Sequence, residues 1–454
     1  MSKTKIQTDK VIRLIMFLHL KKEQKEALAL LQIGTFLEYF DLMIYIHMAV
    51  LLNEIFFPKT DLHTSAILAA FALCSTYILR PVGAIIFGYI GDIIGRKHTV
   101  VITTALMAMS CIFMAVLPTY NQIGIAAAWG VTLCRAIQSV SSQGEIIGAE
   151  IYLAETIQPP ARYVAVSLTS FFSSLGGVAA LILAVSLKYF DISWRIAFWV
   201  GAFIALIGSS ARIRLRETPE FVNMKLRIKK VIENAELEGL KKTALSLKNT
   251  NPLWKEKVSL KTALAYFLIS CGFPACFYLS YIYCGHILKN NFGYTSDQII
   301  NQNLIVSIFQ SLSFLIYSLC THKINPLKIL NFRIYLFLPF VIICPYLLNN
   351  VTSANEILIF QCFIMTFGVM DCPGAGVFIS HFPVSTRFTS LGLMYAFSRI
   401  IIYIITSFGF VYLTKWFSNF GVFFIMISIT IGFMWSIKHF EKLENNIPKI
   451  LRNY

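Results

Sequence analysis

The sequence predicts an all-α polytopic membrane protein: twelve transmembrane helices in two six-helix halves. Three observations carry this. Of 454 residues, 57% are hydrophobic and only 14% charged, against about 25% charged in soluble domains. Apolar runs of about 20 residues, the length a helix needs to cross a hydrocarbon core of about 30 Å, recur along the whole chain. The runs are continuous rather than alternating, so helices and not a β-barrel satisfy the backbone in lipid.

The spans read at roughly 28–52, 66–90, 98–118, 122–150, 163–187, 195–213, 262–288, 299–320, 328–348, 356–380, 388–413 and 417–437. Before them, residues 1–27 form a polar segment whose apolar piece Val11–Leu20 reads as a helix on the membrane surface rather than a signal peptide. Residues 28–213 make the first half and 262–437 the second. The longest hydrophilic stretch, 214–261, divides them and is rich in Lys and Glu, and a tail of 438–454 follows.

The net charge of +16 is a topology signal and not a nucleic-acid footprint. Segments predicted on one face of the membrane hold 31 of the 39 Lys and Arg; the opposite loops hold five, and Arg80, Arg135 and Arg399 lie inside spans. Positive residues stay inside. Both termini are therefore expected in the cytoplasm, with the chain multi-pass in a cytoplasmic (inner) membrane. Ten cysteines give no disulfide framework; most sit in apolar runs, and neither a CxxC pair nor a metal cluster stands out. No nucleophile elbow or phosphate loop argues for an enzyme.

Charged residues inside spans are costly, at least about 2.5–3.5 kcal/mol each on insertion scales, and usually face a cavity or a partner. In span one, Glu38, Asp41 and Tyr45 share a helix face, and in span four Arg135, Gln138, Ser142 and Glu145 do the same. At a rise of about 1.5 Å per residue, Glu38 and Glu145 lie roughly 15 Å deep, Asp41 about 20 Å and Arg135 about 28 Å. Glu38, Asp41, Arg135, Gln138 and Glu145 are expected to form one network. Two carboxylates at similar depth cannot both stay charged cheaply, so one is a candidate proton carrier. Arg135 would hold another acid ionised or bind a solute carboxylate; a purely structural ion pair is the competing reading. In the second half, Asp371 and Arg399 fall at matching depths of roughly 20 Å and are expected to pair across spans ten and eleven. Tyr278, Tyr281 and Tyr283 of span seven could hold a quaternary ammonium by their rings, with interfacial anchoring as the competing reading; Tyr45, Tyr278 and Tyr281 are the candidate solute contacts.

Three stretches resemble the major facilitator superfamily, in particular its metabolite:proton symporter branch of proline/betaine, α-ketoglutarate, citrate and shikimate transporters. Gly88-Tyr-Ile-Gly-Asp92-Ile-Ile-Gly95-Arg96-Lys97 is similar to the loop signature between spans two and three, G-x-x-x-D-x-x-G-R-K. Arg135-Ala-Ile-Gln138 through Gly144-Glu145 is similar to R-x-x-Q-G-x-x-x-G-G-E, with Ser139 and Gln143 standing where two glycines are expected. Gly34-Thr-Phe-Leu-Glu38-Tyr-Phe-Asp41 is similar to the branch's opening, with Thr35 and Tyr39 in place of Asn and Trp. Shorter echoes are Trp194-Arg-Ile-Ala-Phe, Arg216-Glu-Thr-Pro-Glu-Phe221 and Phe382-Pro-Val-Ser-Thr-Arg387-Phe. The matches cover mainly the first half; the turn at Thr321–Lys328 lacks the loop signature. A weak repeat relates Ala161-Arg-Tyr to Thr386-Arg-Phe, each after a proline-containing turn.

The resemblance implies a secondary transporter with its site near the midplane. The loop of Gly88, Asp92, Gly95, Arg96 and Lys97 would latch the outward-open state. The leading expectation is proton-coupled import of a small organic solute such as proline, betaine or an organic acid. A proton-antiporting exporter and a transport-derived sensor remain as alternatives. No cofactor is expected beyond the proton as coupling ion, no nucleic-acid partner, and a monomer in the bilayer.

Overall fold

The computed structural model describes residues 20–57, 78–190, 192–237 and 258–446. Over these the chain is helical, with no strand among the described residues. The first-half helices are α1 (Lys22–Phe56), α2 (Arg80–Tyr89), α3 (Arg96–Val116), α4 (Ile125–Thr156), α5 (Ala161–Tyr189) and α6 (Arg195–Arg212). An intervening polar helix is α7 (Pro219–Leu237). The second half holds α8 (Leu260–Phe277), α9 (Cys284–Phe292), α10 (Ser296–Cys320), α11 (Pro326–Asn349), α12 (Ala354–Phe367), α13 (Ala375–Ser380), α14 (Arg387–Phe417) and α15 (Phe420–Asn446). Val11–Leu20, except its last residue, and the opening of span two at 66–77 lie outside the described residues.

Among the described residues, eight helices are long and apolar enough to cross a membrane, and α6 and α12 are shorter apolar helices. With α2 and the more polar α4, they fall one for one on the twelve expected spans. Large apolar side chains such as Trp129, Phe203, Ile359 and Trp416 stay exposed on outer helix faces, as a lipid-facing surface requires. The nine described cysteines are free.

Two spans depart from simple helices. In span seven, Pro274 removes a backbone donor inside α8. The helix then passes through a π-turn at Tyr278–Tyr283 before α9; such turns locally re-aim side chains. Span ten was expected as one helix over 356–380. It breaks instead: α12 ends at Phe367 and α13 begins at Ala375. Pro373 lacks an N–H, and the freed carbonyls of Gly368 and Cys372 accept hydrogen bonds from the Arg333 guanidinium of α11. Gly272 of α8 makes room for the break: a Cβ there would lie 2.1 Å from the Val369 carbonyl.

The halves meet along two seams, α5 against α10 and α2 against α14. Small residues permit the approach. A Cβ on Gly88 would sit 2.8 Å from the Thr389 Cα, and Ser174 and Ser311 bond directly at 2.7 Å.

Candidate functional site

Between the halves lies a cavity of about 400 Å³. Glu150 of α4 and Ser170 of α5 line it from the first half; Tyr281, Gln310, Asp371 and Arg399 line it from the second. The π-turn and the break position this second-half wall: Tyr278 and Tyr281 come from the turn, and Asp371 from the break. The Tyr281 hydroxyl donates to Gln310 Oε1 at 3.0 Å and lies 2.9 Å from the Ser307 hydroxyl. The Arg399 guanidinium stacks over Tyr395, 4.4 Å from the ring centre, and over Phe273 at 5.4 Å.

A second charged group sits inside the first half. Arg135 donates to Asp41 at 3.3 Å and to Gln138 Oε1 at 2.7 Å, and Gln138 donates to Asp41 at 2.8 Å. The guanidinium also lies 4.0 Å above the Tyr45 ring. Arg80 reaches Glu38 at 3.5 Å. These groups surround a void of only about 10 Å³, room for one water at most. A larger gap of about 30 Å³, lined by Arg80 and Arg399 among others, lies between this cluster and the main cavity.

The end of the bundle that carries the loop after α2 is closed. Asp92 accepts hydrogen bonds from the backbone N–H groups of Phe388 and Thr389, both at 2.9 Å, and from Arg96 at 3.1 Å. Burial pushes the Asp92 carboxyl above its ordinary value; Arg96 and the α14 amides pull it back, so the opposite half supplies part of what the charge needs. Arg96 pairs with Glu155 at 3.0 Å and donates to the Val384 carbonyl at 2.6 Å. Glu155 also binds Arg387 at 2.9 Å. Gly95 turns the chain at φ +150°, where a side chain would collide with Glu217. Glu217 in turn accepts from the N–H groups of Arg96 and Lys97 at 3.0 and 3.3 Å, a carboxylate on the positive end of α3.

Set against the expectations, the structure brings some residues together and separates others. Glu38, Asp41, Arg135 and Gln138 share one cluster, but Glu145 does not join it. Its carboxylate binds Arg212 of α6 at 2.6 Å and the hydroxyls of Thr103 and Thr104. Helix α6 ends at this depth with a buried arginine that outcompetes the more distant Arg135. Asp371 and Arg399 do not form the expected pair: both line the cavity, with no ion pair between them within 4.0 Å. The cause is the break in span ten, which leaves the Asp371 carboxylate accepting the N–H of Cys372 at 3.0 Å. Tyr278 and Tyr281 face the cavity, whereas Tyr45 is buried beneath Arg135, away from it.

Four buried charges went unread in the sequence. Glu150 and Glu155 sit at or beyond the predicted end of span four, where an acid looks interfacial. Arg212 and Arg333 were counted with the basic loops, although their positions fall inside predicted spans. That placement was the available signal.

The sequence model of the Major Facilitator Superfamily matches residues 31–405. The chain belongs to this superfamily. Within it, the proline/betaine transporter of Escherichia coli (strain K12) is 29% identical over 282 residues, 60% of this chain and 54% of that protein. The chain spans about half the length of the curated relatives it matches. Among solved structures, the proton:xylose symporter XylE bound to 6-bromo-6-deoxy-D-glucose superposes with a TM-score of 0.71 at 15% identity, covering 94% of this chain and 96% of that one. The human organic anion transporter MFSD10 gives 0.61 at 14% identity, covering 92% and 100%. At such identities the likeness concerns the fold. These superfamily relatives are transporters by name.

Proposed function

We propose that this chain is a secondary transporter that imports a small organic solute together with a proton, by alternating access about the central cavity. The observation that carries the reading is the cavity itself: it is lined from both halves and closed beneath by the Asp92–Phe388 contact, the geometry of a gate across the seam. Its aromatic walls and Arg399 suit a zwitterion or organic acid, the guanidinium taking a carboxylate bidentately; the names of the curated relatives point the same way.

Asp41 is the candidate proton carrier. It is buried, paired with Arg135 and beside a void the size of a water, too small for a solute. The gap that Arg80 and Arg399 share would link the solute cavity to this group. The excess of Lys and Arg at the closed end supports a cytoplasmic placement for that end and for both termini, in the inner membrane; on that placement this state is closed toward the cytoplasm. The solute, the bilayer and the proton are the partners the reading requires; the chain would work as a monomer without a cofactor.

Reconstitution of the full chain in proteoliposomes tests this. Labelled amino acids, betaines and organic acids should accumulate when the pH gradient is imposed in the inward direction, and a protonophore should abolish accumulation. A chain that moves none of them in either direction is not a carrier of this class; accumulation only under the reversed gradient would mark an exporter.

A further inference from the structure

The charges of the cavity do not balance. Glu150 enters from α4 and Asp371 from the break between α12 and α13, against the guanidinium of Arg399. The other polar side chains on the described wall are neutral hydroxyls and amides. Glu150 is only 7% exposed; a hydroxyl of Thr169 donates to it at 3.3 Å. Asp371 accepts the amide of Cys372. Neither acid has an ion pair within 4.0 Å among the described residues. Arg399 is held by rings rather than by a carboxylate.

Buried carboxylates without a cation are costly, and intramembrane acids facing a cavity are there to meet something. A solute can supply the missing charge. A simple zwitterion would neutralise Arg399 and one acid, leaving the second acid alone. A diamine would neutralise both acids and leave Arg399 beside two added cations. A molecule with two cationic groups and one carboxylate satisfies all three.

We infer that Glu150 and Asp371 form a cation-binding pair opposite Arg399, and that the solute is a dibasic amino acid. The inference rests on the transporter reading above and sharpens its substrate class. The carboxylate of the solute pairs with Arg399. The α-ammonium and the side-chain cation are shared between Glu150 and Asp371, with Tyr278, Tyr281 and Tyr403 as ring faces for either.

Binding is measured on the purified full chain by thermal shift and calorimetry with L-lysine, L-arginine, L-proline, glycine betaine and putrescine. Lysine or arginine should bind more tightly than the other three. E150Q and D371N should each weaken that binding by about tenfold or more, the loss expected when a charge-assisted contact is removed. Glu150 is buried and Asp371 half-buried, and each variant removes a charge that has no ion pair within 4.0 Å among the described residues, so its ligand-free melting temperature should not fall, which separates lost binding from lost folding. Proline or betaine binding as tightly as lysine overturns the inference, as does unchanged lysine affinity in both variants. Lysine affinity that persists in E150Q while its pH dependence disappears overturns it too, and makes Glu150 a proton site instead. The transporter reading fails by a different measurement, the absence of flux for every solute; flux of proline without lysine binding would sink only the substrate class.

Discussion

Arg162 and Arg387 make the same pair of contacts from opposite halves. Each donates from Nε to the carbonyl five residues earlier, Ile157 at 2.9 Å and Phe382 at 3.0 Å. Each also reaches Glu220 at the head of α7, at 3.4 and 2.7 Å. The duplicated Ala161-Arg-Tyr and Thr386-Arg-Phe turns thus converge on one acid from the polar connector, and that convergence adds a tie between the halves at the closed end.

The two acids at this end should differ sharply in weight. Glu155 is fully buried between Arg96 and Arg387, and removing one member of such a group costs about 3–5 kcal/mol. Glu220 is partly exposed, where an ion pair is worth about 0–1 kcal/mol. E155Q should therefore open the end and E220Q barely affect it. A Ser385→Cys probe in a cysteine-free background, labelled by an impermeant thiol reagent from the side of the closed end, reads this. Equal labelling in the two variants would mean that Glu155 does not hold the gate.

Asp41→Asn should remove gradient-driven accumulation down to the level of a pH-clamped control while leaving solute counterflow intact. Counterflow needs a working cavity and gate but no net proton movement. The amide keeps one acceptor oxygen where the carboxylate offers one to Arg135 and one to Gln138, so some stability is lost, and intact counterflow shows that the chain remains folded. Accumulation at the wild-type level in D41N would remove Asp41 from the coupling step.

Gly34 is dictated by the Glu145–Arg212 pair. A Cβ there would fall 1.7 Å from Arg212 Nη2 and 2.3 Å from Glu145 Oε2. Gly34→Ala and Glu145→Ala should each lower the melting temperature of detergent-purified protein, by an amount on the order of the 3–5 kcal/mol of a broken buried pair. The double replacement E145L/R212M, which leaves no lone charge, should regain much of the loss caused by E145A. A double variant less stable than E145A would show that the pair itself, and not merely its balance, holds the half together.

Arg333→Met should destabilise the second half and weaken solute binding together. The guanidinium satisfies the carbonyls of Gly368 and Cys372, and each buried acceptor left unmet costs about 1–3 kcal/mol. Asp371 lies between them in the chain, so its position depends on the same anchor. Lower thermal stability with unchanged solute affinity would show that the break keeps its shape without Arg333.

Legibility followed the physics of each feature. The spans could be read because lipid demands long apolar runs whatever the neighbours are. Asp92, Gly95 and Arg96 could be read because a tight turn and a capped helix start are local. Asp41 with Arg135 could be inferred because both lie deep inside spans, at about 20 and 28 Å, and opposite charges in a membrane seek each other. Glu145 could not: it was expected beside Arg135, and only the packing of α6 brings Arg212, counted with the basic loops, to its carboxylate. The Asp371–Arg399 pair was misread because its depth was counted along an unbroken helix, whereas Pro373 and Arg333 together end it.

The sequence by itself determined that this is an all-helical, many-span superfamily member with the Gly88–Lys97 loop signature and acids inside its spans, because those properties depend on composition and on patterns a few residues long. Tertiary structure decided which charges meet. Glu145 goes to Arg212, Glu155 gathers Arg96 and Arg387, and Glu150 and Asp371 are left facing the cavity with Arg399. Inside a membrane a charge is stable only beside its partner, and partners dozens to hundreds of residues apart are chosen by how helices pack, which no local pattern records.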